Sequence, residues 1–347
     1  MIEVLVVEDS PVVRKFLVHL LSSDPGIKVT GIATNGEEAI EAVKKKRFDI
    51  ITMDISMPKM GGFEATRKIM ETKPTPIVIV SGTVDTGEVK TTFKAVEAGA
   101  LAILPRPSGI GHPLHKEETD KLIQTVKLMS EIKVVRRFPR HKEKASVVAG
   151  QKIKVHGSPA EIKVIAIGAS TGGPIVIQRI LSDLPVDIAV PVLIVQHMTS
   201  GFIHGFAEWL TQSTGFPVII PADSDEILPG HVYIAPDGFQ MGIEHRNRIS
   251  LRKDEPENGL RPSVSYLFRS VAEVYGRNAL GVLLTGMGKD GAKELRLMKE
   301  NGAITIAQDK NSSVVHGMPG EAIKLDAARY ILPEERIASA IKKLVYN

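Results

Sequence analysis

Short apolar runs that recur along the chain, separated by helix-length amphipathic stretches, restrict its fold more than any other feature. VLVV (4–7), DIITM (49–53), IVIV (77–80) and LAIL (101–104) set the rhythm, which restarts at VIAIG (164–168) and continues through PVLIV (191–195), ALGVLL (279–284) and AITIA (303–307). Runs this short suit strands buried on both faces, and their alternation with helices predicts crossover connections and parallel sheets. With 347 residues the chain exceeds the size at which one core keeps growing. The fold class is therefore α/β, with two doubly wound parallel-sheet domains. HVYIA, QMGIE and RISLR, alternating segments between 231 and 252 separated by turn residues, predict a small antiparallel element beside the second sheet.

The rhythm also places the boundaries: a first domain at 1–122, a helical and basic linker at 123–157 and a second domain at 158–347. Within the linker, KVVRRFPRHKEK (133–144) carries six Lys or Arg against one Glu. That charge suits a solvated connector or, on a functional reading, a dock for an acidic partner. The net charge of +4 falls short of the dense basic footprint of a nucleic-acid binder, so no nucleic-acid partner is expected. No apolar stretch approaches the roughly 20 residues of a membrane helix. MIEVLVVEDS has no basic leader or cleavage site, so a cytoplasmic location without membrane insertion is expected. Having no cysteine, the chain is left with hydroxyl, imidazole and carboxylate chemistry.

In the first domain Glu8 and Asp9 follow VLVV, and Asp54 follows DIITM, so all three acids project from the strand ends where open α/β sheets bind ligands. Carboxylates about 4 Å apart repel by roughly 1–4 kcal/mol per pair, which calls for protonation or a cation; a hard, oxygen-seeking ion such as Mg²⁺ suits them. Asp54 then becomes a phosphoryl acceptor, with Ser81 after IVIV and Arg106 after LAIL positioned to bind the phosphoryl group. The plainer alternative is three strand-end acids that cap turns. VVEDS, the Asp in ITMDISMPKMGG, VSG and the basic-Pro pair of LPRPSG occur in order, and through them this domain resembles the flavodoxin-like receivers of response regulators. The resemblance implies Mg²⁺-dependent phosphorylation at Asp54. Receivers normally carry Lys where this chain has Arg106, a planar forked donor instead of a point charge.

In the second domain Gly168-Ala169-Ser170-Thr171-Gly172 satisfies G-x-S-x-G, the pattern that exposes a serine on a sharp strand-to-helix turn, with Pro174 suited to the first helical turn. A small-residue packing turn would read the same way. The phosphate-loop Lys and the dinucleotide glycine spacing are both absent. His197 lies just beyond PVLIV as a general base, and Asp290 beyond ALGVLL as the group that orients it. The order Ser, His, Asp differs from that of the α/β-hydrolases.

GASTGGP, QHM, GFAEWL, LPGHVYIAP, RPSVSYLF, LTGMGKDGA and QD-x₅-HGMPGEA together resemble the chemotaxis protein-glutamate methylesterase family, also called CheB. The resemblance implies hydrolysis of glutamate γ-methyl esters on chemoreceptors, deamidation of receptor glutamines, and no cofactor for the esterase step. It also implies methylated chemoreceptors and a chemotaxis histidine kinase as partners, with the receiver controlling access to the cleft. Two alternatives are a receiver-controlled receptor-binding module without catalysis and a nucleotide-binding output. His112, His115, His141, His156, His204, His231, His245 and His316 form no metal-ligand spacing and read as structural or surface residues. His316 stands where relatives carry a large aromatic before Gly-Met-Pro, and Met287 and Met318 are expected to pack around the site.

Overall fold

The computed structural model describes residues 1–82, 93–132, 134, 161–244 and 247–346. They form two compact units, Met1–Val147 and Val148–Asn347. The basic stretch from 135 onward, with His141 and His156, lies outside the described residues, as does His245.

The first unit is a five-stranded parallel sheet: β1 (Ile2–Val7), β2 (Ile27–Ala33), β3 (Ile50–Met53), β4 (Ile77–Ser81) and β5 (Ala102–Pro105), in spatial order 2-1-3-4-5. This is the flavodoxin-like order, which reverses between β1 and β3. β2 carries no continuous apolar run because it is an edge strand, with Lys28 and Ile32 exposed. The helix Gly36–Lys45 shows why these elements start where they do. The Asn35 side chain accepts from Glu38 N–H at 3.1 Å, while the Glu38 carboxylate returns to Thr34 N–H at 2.8 Å. The helix His115–Ser130 buries Leu122, Val126 and Met129.

The second unit contains β6 (Val164–Ala169), β7 (Val192–Gln196), β8 (Val218–Ile219), β9 (Val232–Ile234), β10 (Gln240–Glu244), β11 (Arg248–Arg252), β12 (Ala279–Leu283), β13 (Ile304–Gln308) and β14 (Tyr330–Leu332). Seven of them form a parallel sheet in the order 14-13-12-6-7-9-8. β10 and β11 pair antiparallel, as their alternation predicts. HVYIA, however, is β9 and joins the main sheet, parallel to β7 and β8, instead of the antiparallel element. Val232, Tyr233 and Ile234 are all buried, so the strand needs cover on both faces, which an open hairpin would not give.

The order reverses at the β12/β6 boundary, where the helix Val264–Tyr275 packs on the sheet. Val264, Leu267, Phe268, Val271 and Ala272 recur at helical spacing and are all buried, each large one contributing roughly 1.5–3 kcal/mol. Among the described residues no helix is long and apolar enough to cross a membrane.

Candidate active site and acidic pocket

Three adjacent strands of the second sheet, β12, β6 and β7, deliver one candidate residue each. β6 is followed directly by Ser170, whose N–H donates to Thr285 O at 3.0 Å and whose carbonyl accepts from Gly173 N–H at 2.9 Å. The turn between them runs through Gly172 at φ +80°, and a Cβ there would lie 2.6 Å from that of Val314, so only glycine fits. Pro174 then sits in the first turn of the helix Gly173–Asp183. The β6/β7 register pairs Ala169 with Gln196, and His197 N–H donates to Ala169 O at 2.9 Å, which sets Ser170 and His197 side by side at the sheet edge.

His197 Nε2 meets Asp290 Oδ2 at 2.9 Å. Only 2% exposed, Asp290 is surrounded by donors: Val264 N–H at 2.6 Å on Oδ2, and Ser263 Oγ at 2.8 Å, Asn258 Nδ2 at 2.9 Å and Ser265 N–H at 3.3 Å on Oδ1. Burial opposes its charge, but the hydrogen bonds from His197 and from the Ser263–Ser265 turn outweigh it and hold the carboxyl well below the usual carboxylate range. Two of these donors are N–H groups at the start of the helix Val264–Tyr275, whose dipole adds to the effect. The side chain is thus a fixed anion facing the imidazole. Among the described residues no hydrogen bond joins Ser170 Oγ to the His197 ring. His197 and Asp290 are thus paired, and Ser170 lies beside them at the same sheet edge.

Met318 is buried against Gly286, where an added Cβ would come 2.4 Å from the Met318 sulfur and 2.7 Å from Ser170 Cβ. Met287 departs from expectation: at 38% exposure it faces solvent. His316 bridges to Gly286 and is half-buried, and burial lowers its pKa. His115 Nδ1 lies 2.7 Å from Ser108 O and His231 Nδ1 lies 2.8 Å from Pro229 O, both local loop contacts.

In the first unit Glu8 and Asp9 leave β1 and Asp54 leaves β3, on either side of the reversal, and their carboxylate oxygens lie within 4.8 Å of one another. The Arg14 guanidinium fastens the loop by donating to Glu8 O at 2.8 Å and Asp9 O at 3.0 Å. Arg106, whose N–H donates to Ser81 O at 2.8 Å, brings Nη2 to 3.2 and 3.4 Å from the Glu8 oxygens and 3.9 Å from Asp54 Oδ1. Ser81 is buried at the end of β4.

One guanidinium does not balance three acids. Burial, with the charge of Glu8, pushes the Asp54 carboxyl up to about 7, and burial raises Glu8 despite Arg106. Two buried carboxylates and an exposed one, short of positive charge, form an all-oxygen donor set that fits Mg²⁺.

The chain matches the family model described as CheB methylesterase over residues 165–341 and that of the response regulator receiver domain over 4–115. A protein-glutamate methylesterase/protein-glutamine glutaminase of Nitrosospira multiformis is 59% identical over 345 residues, 99% of this chain and 97% of that one. A relative of the same name from Geobacter metallireducens is 54% identical over 345 residues, 99% of each chain. The solved structure of the Thermotoga maritima CheB methylesterase catalytic domain is 37% identical, with a TM-score of 0.51, and covers 54% of this chain and 99% of its own.

Proposed function

Because this chain belongs to the CheB methylesterase family, carrying a receiver domain ahead of the esterase domain, we propose that it hydrolyses glutamate γ-methyl esters on chemoreceptors and deamidates receptor glutamines, using Ser170, His197 and Asp290. The observation that carries this reading is the 2.9 Å bond from His197 Nε2 to a buried, donor-ringed Asp290, formed next to a serine held by the adjoining strand.

With Nε2 occupied by Asp290, Nδ1 is the nitrogen that serves the hydroxyl. Ser170 Oγ attacks the ester carbonyl carbon while His197 takes its proton, and Asp290 stabilises the resulting imidazolium. Collapse breaks the bond to the methoxy oxygen, which leaves as methanol with the proton from His197; from glutamine, ammonia leaves instead. Water then attacks the glutamyl-serine ester, His197 accepts its proton and returns it to Ser170, and glutamate is released. General-base assistance of this kind is worth about 10²–10⁴ in rate. The N–H groups of Ser170 and Gly286 are committed to Thr285 O and Val315 O, so the oxyanion donors come from the other N–H groups of the 171–172 and 287–288 turns.

In the receiver, Glu8, Asp9 and Asp54 would hold Mg²⁺, which when bound neutralises oxygens of the incoming phosphoryl group. Asp54 is the acceptor, Ser81 and Arg106 bind the phosphoryl oxygens, and a chemotaxis histidine kinase is the donor. Phosphorylation then raises esterase activity, in the cytoplasm where receptor helices are modified.

Mass spectrometry of methylated receptor incubated with wild-type or Ser170→Ala protein tests the assignment. Wild type removes methyl mass and Ser170→Ala does not. Equal loss with both would refute the serine mechanism.

A further inference from the structure

The β6/β7 ladder ends at the bond from His197 N–H to Ala169 O. One residue further on, the two backbones part, Ser170 into its turn and helix and His197 into a loop. Gln196 spans this gap. Its side-chain Nε2 donates to Ser170 O at 2.8 Å and to His197 O at 2.8 Å, so one amide group holds the backbones of both residues beyond the last rung.

The other end of the same amide sits in an unusual place. Among the described residues Gln196 Oε1 is buried and has no hydrogen-bond partner, and the residue is only 3% exposed. A buried acceptor left unpaired destabilises a fold, and a methionine of the same length would fill the space without that penalty. Gly173 makes room for it: a Cβ there would lie 2.2 Å from Oε1 and 2.7 Å from Ala169 Cβ. Packing alone therefore does not account for a glutamine here; its two donated bonds do.

We infer that Gln196 is a positioning residue for the reaction: by donating to the carbonyls of Ser170 and His197 together, it fixes the separation of nucleophile and base. The inference rests on the Ser170–His197 reading above. A displacement of reacting groups by about 1 Å is enough to slow a reaction on the order of 10²-fold.

The test compares full-length wild type, Gln196→Met, Gln196→Glu and Ser170→Ala for turnover of methylated receptor and for the rate at which a fluorophosphonate labels Ser170. Gln196→Met is expected to lower kcat by about 10- to 100-fold with KM within about twofold, and to slow labelling by the same factor, since labelling needs the serine–histidine pair but not the receptor. Gln196→Glu keeps the shape, replaces both donors by acceptors, and is expected to lose at least as much; it carries the test if Gln196→Met does not fold. A folded Gln196→Met with wild-type kcat and labelling, beside an inactive Ser170→Ala, overturns the role of Gln196 alone. Turnover that survives in Ser170→Ala overturns the serine mechanism itself, and this inference with it.

Discussion

Asp54 and Asp290 occupy equivalent places in two separate sheets: each follows a buried parallel strand at the point where strand order reverses, and each is almost fully buried, at 5% and 2% exposure. Their charge states are driven in opposite directions. Burial and the neighbouring Glu8 push Asp54 up to about 7, whereas the donors around Asp290 overcome burial and hold it anionic. Depth is nearly the same in both, so the groups facing the carboxylate decide. One site, with a single guanidinium against three acids, is short of positive charge and suits an incoming cation and phosphoryl group; the other is already balanced and suits a lasting electrostatic task.

The contrast can be broken most sharply at Asp290. Asp290→Asn is expected to lower kcat for methanol release by roughly 10³–10⁴, because the amide no longer holds the imidazole in the right tautomer; a loss below tenfold in steady-state assays would remove Asp290 from the mechanism. Stability should separate the two sites by sign. Asp290→Ala leaves Ser263, Val264 and Asn258 donors unmade and is expected to cost about 3 kcal/mol in denaturant unfolding. Asp54→Asn in chelator at pH 8 is expected to stabilise the protein by about 1–3 kcal/mol, because it removes a buried charge that faces Glu8.

The pH dependence sharpens the same point. The folded pKa of Asp54 lies above its unfolded value, so the native state binds the extra proton between about pH 4 and 7, and wild-type stability falls as pH rises through that window. The advantage of Asp54→Asn should accordingly shrink from pH 8 to pH 5; an advantage that stays constant across this range would show that Asp54 is not the titrating group. The smallest effect expected is at Arg106. Replacing its fork by the single charge of Arg106→Lys loosens the grip on Glu8 and should tighten Mg²⁺ binding severalfold in isothermal titration, and unchanged affinity would show that Arg106 does not compete for Glu8.

The sheet interiors and the strand-end residues were legible because apolar runs mark strands buried on both faces, and the residue after each run lands at the same edge. Glu8 and Asp54 follow their runs directly; Asp9, Ser170 and His197 stand one residue further on, and Asp290 groups with Ser170 and His197 by residue type and by the glycine-rich turn that carries it. β9 was not legible as a parallel strand, since three apolar residues beside two alternating segments carry no sign of which sheet they join. Nor was the support for Asp290: Asn258, in a loop, and Ser263, at a helix start, lie 32 and 27 residues before it, and only tertiary packing brings them to the carboxylate. The PSVS stretch of RPSVSYLF, with Ser263 ahead of an apolar periodic run, was the one local hint. Gln196 gave no signal of its own, because a polar residue closing a strand is ordinary until its side chain is seen to turn back.

Asp290 also closes the start of the helix Val264–Tyr275, and on the proposed mechanism this ties turnover to a local opening event. Fraying of the helix's first turn removes the Val264 and Ser265 N–H donors from the carboxylate that, on the proposed mechanism, steers the imidazole. Exchange protection at the amides of Val264 and Ser265 should therefore track the working fraction of enzyme, with heat silencing catalysis in step with that opening, ahead of melting of the sheet.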